Sequence, residues 1–242
     1  VLRVASVAYV NAKPLVEGLA EVCDLSFEVP SRLLGRMQDE TADVGLLPTI
    51  DLLQLDRPVI VPSGGIGCDG PTLTVRLFAK RPLETVTSLA VDPDSHTSVA
   101  LSRIIFKRRF GFLPHYLPLS RRTGGDDEAL LLIGDKVITE EPADYRHQLD
   151  LGLAWKELTG RPFVFAVWAA RRGVDLGDLP DQLTAARQRG MSRIDQLVRD
   201  HAVPAGWPAD VARRYYTSYL RYDIGPDQLE AIDHFHKLAA AT

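Results

Sequence analysis

Cysteine is nearly absent: Cys23 and Cys68 are the only two among 242 residues, and neither belongs to a CxxC or similar pair. No disulfide framework or zinc ribbon is implied, and a reduced, cytoplasmic setting is the expectation. Long apolar runs are missing too. No stretch reaches the ~18 residues of a membrane span, and the opening VLRVASVAYV is too short and wrongly flanked for a secretion signal. Positive charge is in deficit, with 28 Lys and Arg against 32 Asp and Glu. A nucleic-acid partner, which needs a basic face to neutralise phosphates, is therefore not expected. The runs Lys107-Arg108-Arg109 and Arg121-Arg122 are short and read as solvated faces.

Several catalytic signatures are also lacking. The chain has no GxSxG elbow, no HExxH and no GxxxxGK[ST], and no GxGxxG links a first strand to a helix. His234 and His236 stand two apart on an expected helix, which points their rings away from each other. Neither a metal nor a cofactor is expected.

What is present is an ordinary globular composition, 45% hydrophobic and 25% charged, enough for one large or two small domains. Short apolar runs at Leu2 to Val7, Leu25 to Val29, Val44 to Leu47, Leu73 to Phe78, Leu89 to Val91, Leu130 to Ile133 and Val164 to Ala169 alternate with helical patterns. That order predicts an α/β fold built from βαβ units on parallel sheets. The last third is helix-rich, with segments expected at Leu179 to Val198, Pro208 to Leu220 and Pro226 to Leu238. Its aromatic group, Trp207, Tyr215, Tyr216, Tyr219 and Tyr222, reads as packing. Two continuous strands, Leu73 to Lys80 and Val164 to Ala170, flank a central block and are read as crossings between lobes. The expected organisation is a first lobe of residues 1–80, an inserted second lobe of 81–169, and completion of the first by 170–242, with the ligand cleft between the lobes.

Four polar groups converge on that crevice. Asn11, the only asparagine, follows the first strand, either as a helix cap or as a ligand contact, with Tyr9 beside it as packing or contact. Ser95-His96-Thr97-Ser98 opens a helix after a strand, supplying hydroxyls and free N–H groups suited to a carboxylate, or simply a capping sequence. His96 reads as an ordinary loop histidine or a base. Gly134-Asp135 ends a buried strand, where Asp135 caps a helix, positions a hydroxyl or serves as acid or base. Gly64 to Thr74 is a glycine-rich approach whose glycines, Gly70 among them, permit close approach to a ligand; Thr72 and Thr74 share a face, Thr74 either as a β-branched strand residue or as a hydroxyl that meets substrate.

The chain resembles the chorismate dehydratases of the futalosine route to menaquinone, a family with the two-lobed fold of type II periplasmic binding proteins. The resemblance is carried by Ser6 to Pro14, Ile66 to Pro71, Ser95 to Ser98, Leu132 to Asp135, Trp155 to Gly160 and Pro162 to Ala169, with Gln228 to Ala231 in agreement. It implies a lyase that removes water from chorismate to give 3-[(1-carboxyvinyl)oxy]benzoate. It also implies that Asn11 is the active-site asparagine, while Thr74 stands where the family has a serine. The hydroxyl cluster would hold a substrate carboxylate, and a carboxylate of chorismate itself would act as base. The rivals are a 1,4-dihydroxy-6-naphthoate synthase-like enzyme, whose typical opening and histidine base are not found here, and a non-enzymatic receptor for a small carboxylate.

Overall fold

The computed structural model describes residues 1–119 and 127–242; Arg121-Arg122 lie outside the described residues. The apolar runs near the start become β1 (Arg3–Val7), β2 (Asp24–Glu28) and β3 (Val44–Pro48), the last buried at every position, and β4 (Val59–Cys68) follows. The chain then passes to a second sheet of β5 (Val75–Ala79), β6 (Ser88–Val91), β7 (His115–Pro118), β8 (Ala129–Ile133) and β9 (His147–Asp150). It returns through β10 (Phe163–Ala170) and ends its strands with the short β11 (Leu220–Arg221). The two sheets run in the orders β11-β4-β10-β3-β1-β2 and β7-β6-β8-β5-β9.

Both sheets are mixed rather than parallel, which corrects the expectation drawn from alternation. β1, β2 and β3 are parallel, as are β6, β7 and β8, and helical segments join β1 to β2, β2 to β3 and β6 to β7. β10 runs against β3 and β4, and β5 runs against β8 and β9. β4 carries the chain out of the first sheet and β10 brings it back, and these two strands run antiparallel. β5 pairs wholly within the second sheet and β10 wholly within the first, so the crossings lie just before these strands, at 69–74 and 160–162. This displaces the passages from the strands Leu73 to Lys80 and Val164 to Ala170, where sequence put them.

Nine α-helices occur among the described residues: α1 (Lys13–Val16), α2 (Pro30–Gln38), α3 (His96–Ile105), α4 (Lys136–Thr139), α5 (Leu151–Thr159), α6 (Leu179–Ser192), α7 (Ile194–Leu197), α8 (Ala209–Arg214) and α9 (Pro226–Ala240). α2 and α9 open on proline, which fits a first turn where an N–H would be unpaired anyway. α5 is capped by the Asp150 carboxylate and stopped by Gly160 at φ 69°. None of the described helices is long and apolar enough to cross a membrane.

Each sheet has its own core. Trp168, Tyr215 and Tyr216 are buried with the first, while Trp155, Phe106 and Phe163 are buried with the second. Phe235 of α9 joins the second core, with its ring 5.0 Å from that of Phe163, so the C-terminal helix braces both halves.

Candidate functional site

Asn11 lies within a single 3-10 turn, Val10–Ala12, between β1 and α1. No side chain caps either helical segment here, so the capping reading of Asn11 is set aside by geometry. Its side chain instead faces the cleft that Tyr215 also lines, and its Oδ1 is buried with no partner among the described residues. Tyr215 OH also shares a 2.6 Å hydrogen bond with Thr74 Oγ1. Asn11, Tyr215 and Thr74 thus form one polar cluster at the bottom of a cleft. Tyr215 is fully enclosed, and burial holds its phenol far above the ordinary value, so it stays protonated and able to donate. The surroundings lock the cluster from several sides: Tyr216 OH donates to the Val10 carbonyl and Tyr222 OH to the Asn11 carbonyl, each at 2.9 Å.

Thr74 owes its position to the crossing at 69–74. Thr74 N–H donates to the Thr72 carbonyl at 2.9 Å across Leu73, which sits at φ 70°, giving a tight three-residue turn around a leucine in the left-handed region. The strain is offset by Asp150, whose carboxylate accepts the N–H groups of Thr72 and Leu73 at 2.7–3.0 Å. The same carboxylate caps α5 through Gly152 and Leu153. Asp150 was not anticipated from sequence; its 77-residue separation from Leu73 hides the contact.

The opposite wall is the start of α3. Ser95 caps it, with Ser98 N–H donating to Ser95 Oγ at 3.2 Å, so the capping reading of this hydroxyl holds. Thr97 Oγ1 reaches across the cleft to accept the Ile50 N–H at 3.3 Å. His96 is not the free loop residue that sequence suggested. Its Nδ1 lies 2.9 and 3.0 Å from the two oxygens of Asp51, which is completely buried in the turn after β3. The Asp51 carboxylate raises the imidazole above its usual pKa, against an opposing effect of burial.

Asp135 does not cap α4, which corrects one of its readings. Its side chain is turned back across the cleft, accepting the Val10 N–H at 3.4 Å and Trp207 Nε1–H at 3.3 Å. Burial pushes its carboxyl upward while those two donors pull it down. Trp207 in turn stacks on Tyr215 with centroids 4.9 Å apart. Tyr9 OH meets Asp94 at 3.5 Å, one more contact between the two sides.

Of the residues singled out in sequence, Tyr9, Asn11, Thr72, Thr74, Ser95, His96, Thr97, Ser98 and Gly134 line one cleft, together with Phe165 and Tyr215. Gly70, at φ 130°, and Asp135 lie outside the lining. Sequence reasoning missed Tyr215, which lines the cleft, and Asp51, which stands behind His96. Among the described residues that line the cleft, only His96 can carry positive charge, and none is an aspartate or glutamate. No group of three or more candidate metal ligands occurs among the described residues.

Two sheets joined by two crossings, with a largely apolar cleft between them that carries a few convergent polar groups, define the periplasmic-binding-protein fold. The alkanesulfonate-binding protein of Xanthomonas axonopodis pv. citri superposes with a TM-score of 0.68 at 14% identity, covering 99% of this chain and 91% of that one. The aliphatic sulphonate binding protein of Escherichia coli gives 0.66 at 16%, covering 99% and 90%. A protein from Archaeoglobus fulgidus gives 0.71 at 17%, covering 99% and 97%. A family model described as menaquinone biosynthesis matches residues 2–241, and the chain belongs to that family. The chorismate dehydratase of Thermus thermophilus is 30% identical over 192 residues, 70% of this chain and 69% of the relative.

Proposed function

We propose that this protein is a chorismate dehydratase, a lyase of the futalosine route acting in the cytoplasm, and that it removes water from chorismate to give 3-[(1-carboxyvinyl)oxy]benzoate. The observation that carries the reading is the buried, unpartnered Asn11 Oδ1 beside the Thr74 and Tyr215 hydroxyls. A buried acceptor left empty costs about 1–3 kcal/mol, which a hydroxyl-bearing ligand relieves.

The chemistry fits that arrangement. Removal of the ring hydrogen beside the enolpyruvyl ether leaves an electron pair that the conjugated ring carboxylate delocalises. The neighbouring C–O bond then breaks, hydroxide leaves with a proton as water, and the ring becomes aromatic. Asn11 Oδ1 would accept the departing hydroxyl's hydrogen and so orient it. The Thr74 and Tyr215 hydroxyls would donate where negative charge develops. The start of α3 would hold a carboxylate on its free N–H groups and hydroxyls. A carboxylate of the substrate itself would take the ring proton. The lobes, proposed as 1–80 with 170–242 and the inserted 81–169, would close by bending at the two crossings.

The test is purified protein with chorismate, followed by ultraviolet absorbance and product chromatography. Conversion of the diene to an aromatic product is expected. Binding of chorismate with neither loss of diene nor aromatic product would leave a receptor and end the enzymatic reading.

A further inference from the structure

Asp51 and His96 come from opposite sides of the cleft. Asp51 belongs to the turn following β3 of the first sheet, and His96 is the first residue of α3, which follows β6 of the second. With both Asp51 oxygens on Nδ1, the opposite ring edge, Nε2, has no hydrogen-bond partner among the described residues, and the side chain is part of the cleft lining. The buried carboxylate behind the ring balances a charge on it, and the lining offers no other cation among the described residues. A substrate with two carboxylates enters a cleft that otherwise meets it with neutral donors.

We propose that His96, held by Asp51 of the opposite lobe, is a specificity-determining residue that presents a positively charged Nε2–H to a substrate carboxylate, and that the pair forms only when the lobes are closed. The proposal rests on the reading of the ligand as a dicarboxylate such as chorismate. It gives the anion a charged partner beside the neutral donors of α3, and it couples capture of that anion to closure. The charged groups on the surrounding elements are few. Asp92 and Asp94 lie on the loop before α3, with Asp92 taken up by Lys136 and Asp94 facing Tyr9 OH. His236 of α9 donates Nε2–H to the Thr49 carbonyl at 2.8 Å. Asp51 is therefore the group that governs the charge on His96, and it favours the protonated form. That form is present at low pH and is lost as pH rises through the raised value.

The experiment is steady-state kinetics on chorismate from about pH 6 to about pH 9, the range in which a histidine changes charge, with His96→Gln and His96→Arg. In the parent protein KM rises with pH. His96→Gln raises KM by about tenfold or more at the acidic end, as expected for a lost charge-assisted hydrogen bond, and flattens its pH dependence, with a smaller change in kcat. His96→Arg keeps KM low and flat. Melting temperatures identify any misfolded variant, and if His96→Gln fails to fold, the profile of His96→Arg decides. An unchanged KM profile in the variants, or a loss confined to kcat, overturns the proposal. Calorimetric titration with chorismate over the same pH range separates the two readings: pH-dependent binding lost in His96→Gln without turnover sinks the reaction but supports His96. Turnover with unaltered KM profiles does the reverse, and absence of both binding and turnover overturns both.

Discussion

Replacing Asn11 by alanine removes the buried Oδ1 that has no partner among the described residues. On the proposed reaction, kcat falls about 10²- to 10³-fold, the usual effect of deleting a preorganised polar group at a reacting centre. Circular dichroism should show an intact fold; wild-type turnover in this variant would remove Asn11 from the chemistry. Tyr215→Phe is a finer probe, because it keeps the ring stacked on Trp207 and deletes only the hydroxyl shared with Thr74. A loss of roughly tenfold in kcat is expected, equivalent to one neutral hydrogen bond. If the hydroxyls act as a unit, Thr74→Val should cost little more once Tyr215 is phenylalanine. Additive losses would show that they act separately.

At the level of elements, close approach explains why certain glycines recur where strand signals are weak. α6 crosses α1 at Gly190, where a Cβ would lie 2.2 Å from the Pro14 carbonyl oxygen, and Pro14 follows directly on the Asn11 turn. Gly190→Ala should therefore cost at least about 1–3 kcal/mol by overpacking, measurable by urea unfolding, and should lower activity by pushing that turn; unaltered stability would show that α6 can simply move away. β4 illustrates the limit of sequence reading. Gly64, Gly65 and Gly67 read as a loop-like approach, yet they lie in a ten-residue strand because Cβ atoms on Gly65 and Gly67 would meet the carbonyls of Ala166 and Phe163 at 2.6 and 2.7 Å. The packing partner, irregular β10, required glycine where strand propensity argued against it. By contrast, β8 and β10 were legible because their apolar runs are uninterrupted and almost wholly buried. The cleft was legible where a single turn carries its polar groups, as at Asn11 and Ser95 to Ser98. Asp51 and Tyr215 were hidden because their meaning lies in partners 45 and 141 residues away, and a tyrosine among tyrosines looks like packing.

For the molecule as a whole, Asp43 is the acid-sensitive point. It accepts the Arg3 N–H at 2.9 Å and is held by the guanidiniums of Arg3 and Arg171, joining the ends of β1, β3 and β10. The Arg3 hydrogen bond is the main reason its carboxyl lies well below the ordinary range, with burial opposing. Its contribution is therefore fully present above the unfolded value of about 3.9 and is lost as pH falls through the depressed folded value. Asp43→Ala should cost about 2–3 kcal/mol at neutral pH, with the gap to the parent closing in strong acid; a gap independent of pH would mean that shape rather than charge is what the residue provides. The three indoles offer a different kind of reading. Trp155 and Trp168 are sealed in separate cores, each 0% exposed, whereas Trp207 is stacked on Tyr215 and donates to Asp135 from the other side of the cleft. Opening that breaks the Asp135 bond strips this indole of its partner across the cleft, so its fluorescence gauges how far the two halves have parted.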